Sequence, residues 1–161
     1  MKLAFVLSGP PVPKARPRLG RGFRVFTPQK TLDHEARIGA AALAARPAGW
    51  PMGAEMVLEM RFYQPTSRLA DIDNLVKSVD GANGVAWFDD VQVVAIHATR
   101  EIDRENPRTE VEILALPTSE ATMEKRRLAY EAKLAKRAAK KRKPKPGKRL
   151  TRKRRSRIVA E

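Results

Sequence analysis

Residues 71–100 read DIDNLVKSVDGANGVAWFDDVQVVAIHATR, and the period of the pattern changes once along them. From Asp73 to Asp80 the apolar residues Leu75, Val76 and Val79 point one way, while Asp73, Lys77 and Asp80 fall on another face at spacings of four and seven. Gly81 and the Asn83–Gly84 pair then stop the helix and turn the chain. From Val91 to Arg100 the composition shifts to Val, Ile and Thr, which predicts a strand. Upstream, residues 54–63 alternate, with Met56, Leu58 and Met60 on one face and Glu55, Glu59 and Arg61 on the other, which predicts a second strand. Strand, helix and strand in succession imply a mixed α/β (α+β) fold.

Working outward, residues 2–8 predict a first strand and 9–22 a Pro-broken loop, since each Pro fixes φ and removes a donor. Residues 23–26 alternate as a short strand. An Ala-rich helix is expected over 29–46, with an apolar stripe at Leu32, Ala36, Ile38 and Leu43, ended by Pro47, Gly49 and Pro51. Residues 109–115 give a last strand with Val111, Ile113 and Ala115 on one face. The expectation is one small domain over 1–117, a mixed β-sheet flanked by helices, followed after Pro117 by a basic extension, 118–161. Within it, 119–142 predicts a helix with a thin stripe of Leu128, Ala132, Ala135 and Ala139, stopped by Pro144 and Pro146; 147–157 is nearly all basic and predicts disorder.

Composition narrows the chemistry. Of 161 residues 42% are hydrophobic, enough for one modest core. With no Cys and only His34 and His97, disulfides, iron–sulfur clusters and Cys-ligated zinc are excluded, and the remaining carboxylates suit a hard cation. No small-molecule organic cofactor is expected. No apolar run approaches the roughly 18 residues of a membrane span, and residues 2–7 are too short for the core of a signal peptide, so a cytoplasmic protein is expected.

The net charge of +15 implies an acidic partner, of which nucleic acid is the usual one. Residues 120–161 hold 18 of the 33 Lys and Arg but four of the 18 acids, net +14, which leaves +1 for residues 1–119. Residues 1–32 carry seven basic groups and no acid. Basic arms thus flank an acidic middle, and that middle holds Asp71, Asp73, Asp80, Asp89 and Asp90 within twenty residues. Gathered carboxylates repel one another and raise each other's pKa unless a cation joins them. Mg²⁺ takes oxygen ligands and keeps several waters, the arrangement that phosphodiester hydrolysis uses. An Asp before a helix is commonly only a cap, and an Asp–Asp pair before a strand only a turn. Together with Lys77, placed to hold a phosphate, and with the basic arms, the set points to metal-dependent cleavage of nucleic acid. Asp73 is the expected N-cap. Asp89 and Asp90 precede a strand, so their side chains diverge and one of the two faces the metal.

The segment DIDNLVKSVDGANGVAWFDDVQVV resembles the signature of the RusA family of Holliday junction resolvases: D-x-D-N-L-x-K, then an acidic turn, then W-x-D-D-x-Q-V. The upstream PVPKARPR is similar to the N-terminal region of phage-type members. The resemblance spans roughly 3–115 and departs at Gly81–Gly84, where the family more often has Ala–Leu. It implies a homodimeric Mg²⁺-dependent endodeoxyribonuclease (Mn²⁺ as the possible substitute) that makes paired symmetric nicks in four-way DNA junctions during recombination and repair. The catalytic acids implied are Asp71, Asp73 and Asp90, all three as metal ligands, with Lys77 as the catalytic Lys and Asp89 as a companion acid behind the ligands. Lys14, Arg16 and Arg18 alternate in a Pro-stiffened loop, and Arg68 lies three residues before Asp71; these are the expected DNA contacts. Phe23, Phe26, Trp87 and Phe88 are expected in the core or a dimer contact. Two other readings remain open: a broader branched-DNA or flap endonuclease with the same site, and a non-catalytic basic DNA-binding protein.

Overall fold

The computed structural model describes residues 1–19, 25–68 and 70–142. The basic residues 147–157, Phe23, and the first half of the strand expected over 23–26 lie outside them. Strand β1 (Lys2–Ser8) leads through the Pro loop to a minimal hairpin, β2 (Arg18–Leu19) with β3 (Val25–Phe26). Helix α1 (Gln29–Ala45), strand β4 (Met56–Gln64), helix α2 (Ile72–Ser78), strand β5 (Val93–Ile102), strand β6 (Arg108–Ala115) and helix α3 (Glu120–Arg142) follow, with 3-10 turns at Val79–Ala82 and Asp90–Gln92. This is the mixed α+β domain that the alternation of periods predicts.

The main sheet has the order β1-β6-β4-β5, antiparallel except between β4 and β5, which are parallel and connected through α2. Its inner face carries Leu3 and Phe5, then Val111 and Ile113, then Met56, Leu58, Met60 and Phe62, all buried. Period-2 alternation puts these side chains on one side, against α1 and α2. Ile38 and Ala42 from α1 and Leu75, Val79, Ala82, Ala86 and Trp87 from the α2 region complete the core. Each fully buried large side chain contributes about 1.5–3 kcal/mol.

The stripe expected on α1 is corrected. Its buried residues are Thr31, His34, Ile38 and Ala42, whereas Leu32 and Leu43 face solvent. Close approach decides this: a Cβ on Gly39 would stand 2.8 Å from the Gly81 carbonyl oxygen, and one on Gly81 would stand 2.1 Å from the Glu35 carbonyl oxygen. Backbone meets backbone there, so the helix side that turns inward is the one with small residues, and not the one with Leu.

Helix α3 sits on the body only as far as Lys133. A Cβ on Gly53 would press on the backbone of Met123, and Gly84 (φ +80°) leaves room for the Tyr130 hydroxyl. From residue 131 to 140 every residue is exposed. Among the described residues no helix is long and apolar enough to cross a membrane.

Candidate active site and its carboxylates

Asp71 is the N-cap of α2, not Asp73, which lies in the first turn. The N-cap lies two residues before the expected one, and the helix begins at Ile72, one residue before the expected start at 73. Asp71 is exposed; its Oδ2 accepts a long 3.4 Å bond from Asn74 Nδ2. Asp73 accepts from Lys77 Nζ at 3.0 Å across one turn of helix. That hydrogen bond is the main reason its carboxyl is held below the usual Asp range. Asp71, Asp73 and Lys77 therefore form one exposed group at the start of α2.

Asp90 belongs to a second group. Asp89 caps the 3-10 turn 90–92 and closes a reciprocal capping box with Gln92, so β5 starts at Val93, two residues later than expected. Asp90 Oδ1 accepts from Asn83 Nδ2 at 2.6 Å and from Trp87 Nε1 at 3.2 Å, which leaves Oδ2 without a hydrogen-bond partner among the described residues. Asp89 instead faces α3: Lys133 Nζ lies 3.0 Å away, and its hydrogen bond is the leading cause of the lowered Asp89 pKa. The side chains do diverge, as their adjacency before a strand requires.

Two residues given no site role from the sequence hold this second group. Gln92, fully buried, accepts from the Phe88 and Asp89 backbone N–H groups at 2.9 Å each and donates to the carbonyls of Met52 and Ala54 at 2.8 and 2.7 Å. Asn83 holds Asp90 directly. Both lie within the motif, but a neutral amide gives no charge signal, and their partners are known only once the chain closes.

The two groups stand at opposite ends of one segment. Asp73 opens α2, and Asn83, which grips Asp90, lies just past the 3-10 turn that ends at Ala82. Ten residues of helical rise amount to about 15 Å. On the sheet side, Arg100 Nη1 donates to the Ala70 carbonyl at 2.6 Å, beside the late part of β5, whereas Asp90 precedes its first residue. Consistently, among the described residues no three Asp, Glu, His or Cys gather closely enough to hold a metal ion. The donor set nonetheless suits a hard divalent cation: three exposed carboxylates, each with one oxygen lacking a side-chain partner among the described residues. Such ions bind through one or two carboxylates plus waters and phosphate oxygens.

The family model described as Endodeoxyribonuclease RusA matches residues 8–114. The chain belongs to the RusA family. It is therefore an endodeoxyribonuclease of the kind that resolves Holliday junctions, acting on branched DNA in recombination and repair, and RusA nucleases generally depend on a divalent metal. No curated protein matches the chain. Among solved structures, the GDP-bound monomer of CetZ1 from Haloferax volcanii is similar at 14% identity and a TM-score of 0.38, over 82% of this chain and 34% of that one; the chain thus spans about a third of that protein's length.

Within the RusA domain the expected DNA contacts differ in state. Lys14 is tied inward: its Nζ lies 2.8 Å from Asp80 and 3.1 Å from Glu35, and its backbone N–H donates to the Asn74 carbonyl. In the structure it fastens the Pro loop over α1 and α2. Asp80, expected on the helix face of Asp73 and Lys77, is its partner. Arg16 and Arg68 are exposed. The Arg18 side chain lies outside the described residues. Trp87 is core, Phe88 half-buried and Phe26 exposed.

Proposed function

We propose that this RusA nuclease completes its metal site only as a homodimer, with Asp71 and Asp73 of one protomer facing the partner subunit's Asp90. The observation that carries this is the separation of the two acidic groups along β5. That strand is a ten-residue outer strand whose described neighbour is β4 alone, and it exposes Val94, Ile96 and Ile102, with Val91 and Ile72 nearby. A long outer strand with one bare side is a pairing surface. Antiparallel pairing of two β5 strands about a two-fold axis sets the start of one beside the end of the other. It thereby sets the Asp90 group of one protomer near the Asp71–Asp73–Lys77 group of its partner, twice over. Two equivalent sites suit a substrate with near two-fold symmetry and produce paired symmetric nicks.

The bound ion, Mg²⁺ with Mn²⁺ as its substitute, supplies charge neutralisation at the phosphate and an acidified water. The chain supplies the rest. Asp71, Asp73 and Asp90 offer carboxylate oxygens, Asn83 and Trp87 fix the Asp90 rotamer, and Lys77 keeps Asp73 ionised and stands ready to meet the phosphate oxygens. Asp89 is held away by Lys133 and positions the turn. Exposed Arg16 and Arg68, with Arg18, hold DNA phosphates. We place the protein in the cytoplasm, where recombining DNA is found in a bacterial cell.

The test is cleavage of a labelled four-way junction in Mg²⁺, with EDTA and Asp73→Asn as controls; paired nicks should vanish in both. Mixing the Asp73→Asn and Asp90→Asn proteins then distinguishes a shared site from a self-contained one. With shared sites, a mixed dimer has one intact site and one doubly altered site, so cleavage returns as single nicks. If each protomer built its own site, the mixture would stay dead. Tight junction binding without cutting under any metal would sink the catalytic role.

A further inference from the structure

Helix α3 lies beyond the residues that match the RusA family, yet it touches the catalytic turn. Arg126, Tyr130, Lys133, Arg137 and Lys140 recur at spacings of four, three, four and three, which puts them on one face. The first three dock on the body. Arg126 Nη1 donates to the Gly53 carbonyl at 2.9 Å, the Tyr130 ring stacks on Phe88 with centroids 4.9 Å apart, and Lys133 pairs with Asp89. The same face then runs on past the body with Arg137 and Lys140, both exposed. Residues 132–142 carry six cations (Lys133, Lys136, Arg137, Lys140, Lys141 and Arg142) and no acid.

Such a helix is at odds with standing alone. Helices gain little stability without packing, and like charges four apart, as at Lys133–Arg137 and Lys136–Lys140, oppose it further. A polyanion of regular spacing removes that repulsion. Leu134 is the one large apolar residue among 132–142, too little for a protein-binding face. We propose that the exposed half of α3 lies along the sugar-phosphate backbone of a duplex DNA arm as it leaves the carboxylate site, held on course by the Tyr130–Phe88 stack; this rests on the nuclease reading above. The stretch from Lys133 to Lys140 is about 10 Å long, equal to the rise of roughly three phosphates of one strand along the duplex axis. These contacts carry no base information, so they position the arm without selecting its sequence.

The experiment is an anisotropy titration of the full chain with a labelled four-way junction, in EDTA so that nothing is cut, over a series of salt concentrations. Replacing Lys136, Arg137 and Lys140 by Ala together should lower the slope of log affinity against log salt by about 2–3, because each phosphate that is no longer neutralised takes close to one from it. Tyr130→Ala keeps every charge but unseats the helix and should weaken binding on the order of tenfold, while Tyr130→Phe keeps the stack and the affinity. An unchanged slope in the triple variant, or a Tyr130→Ala protein that binds like the parent, would overturn the proposal. Should Tyr130→Ala fail to fold, a photocrosslinker on Arg137→Cys, unique in a chain without Cys, decides instead: adducts close to the branch point support a fixed course, and adducts scattered along the arm refute it. Because binding is read without metal, failure here and failure of the cleavage test are separate results.

Discussion

Gln92 shows how a single neutral side chain organises the catalytic turn. Its amide satisfies two N–H groups of the turn and two carbonyls of the loop at 52–54. Gln92→Leu keeps the volume but takes the partner from four backbone groups, three part-buried and one buried, each costing up to about 1–3 kcal/mol less what water and local relaxation return. We expect a loss of about 2–4 kcal/mol in chemical denaturation, and a loss of cleavage that Gln29→Leu, at an exposed position of α1, would not cause. A variant as stable as the parent would show that water replaces the amide freely. At this scale the acids and Lys77 were legible, since charged residues at helical and alternating spacing announce themselves. Gln92, Asn83 and the inward tie of Lys14 were not, because their meaning depends on partners 7 to 66 residues away.

At the scale of elements the strands and helices were legible from period alone, whereas the buried side of α1 was not. An Ala-rich helix has a weak apolar direction, and the deciding contact is the Gly39–Gly81 approach across two elements. That packing buries His34, whose two ring nitrogens lack hydrogen-bond partners among the described residues. Burial first, then the neighbouring Arg37 charge, holds its imidazole below the ordinary 6.5, against the opposing pull of Glu35. The sign follows from linkage: near pH 6.5 the unfolded chain takes up a proton that the folded chain refuses. Stability is therefore complete above that pH and declines as pH falls through it toward the folded value. Melting temperature should drop between about pH 7 and pH 5.5, and His34→Leu should flatten that drop while leaving stability at neutral pH unchanged or slightly higher. An equally steep decline in His34→Leu would assign the effect to other groups.

For the whole molecule, the sheet has one face filled by helices and one long outer strand, β5, which exposes Val94, Ile96 and Ile102 and has no partner on its far side among the described residues. If β5 is where two protomers meet, Val94→Lys with Ile96→Lys sets like charges on either side of the axis. Light scattering should then report a monomer, and junction cleavage should fall by at least about a hundredfold, the effect of losing a whole ligand group from a metal centre. A dimer that persists would move the interface elsewhere. The sequence pointed to two-fold action only through the family resemblance; the physical argument needed the length of α2, which fixes how far apart the acids stand in one chain.

Gly53 and Gly84, the two bare positions beneath α3, read as the footprint of an appendage on its host. Without that helix nothing would keep Gly53 clear, whereas Gly84 is already called for by its positive φ. The body and the helix after Pro117 are therefore fitted to each other, and that junction is a poor place to cut. A chain ended there would leave the Phe88 ring without its Tyr130 cover and Asp89 without Lys133. Shortening the protein to residues 1–117 would thus disturb the very turn that those residues contain.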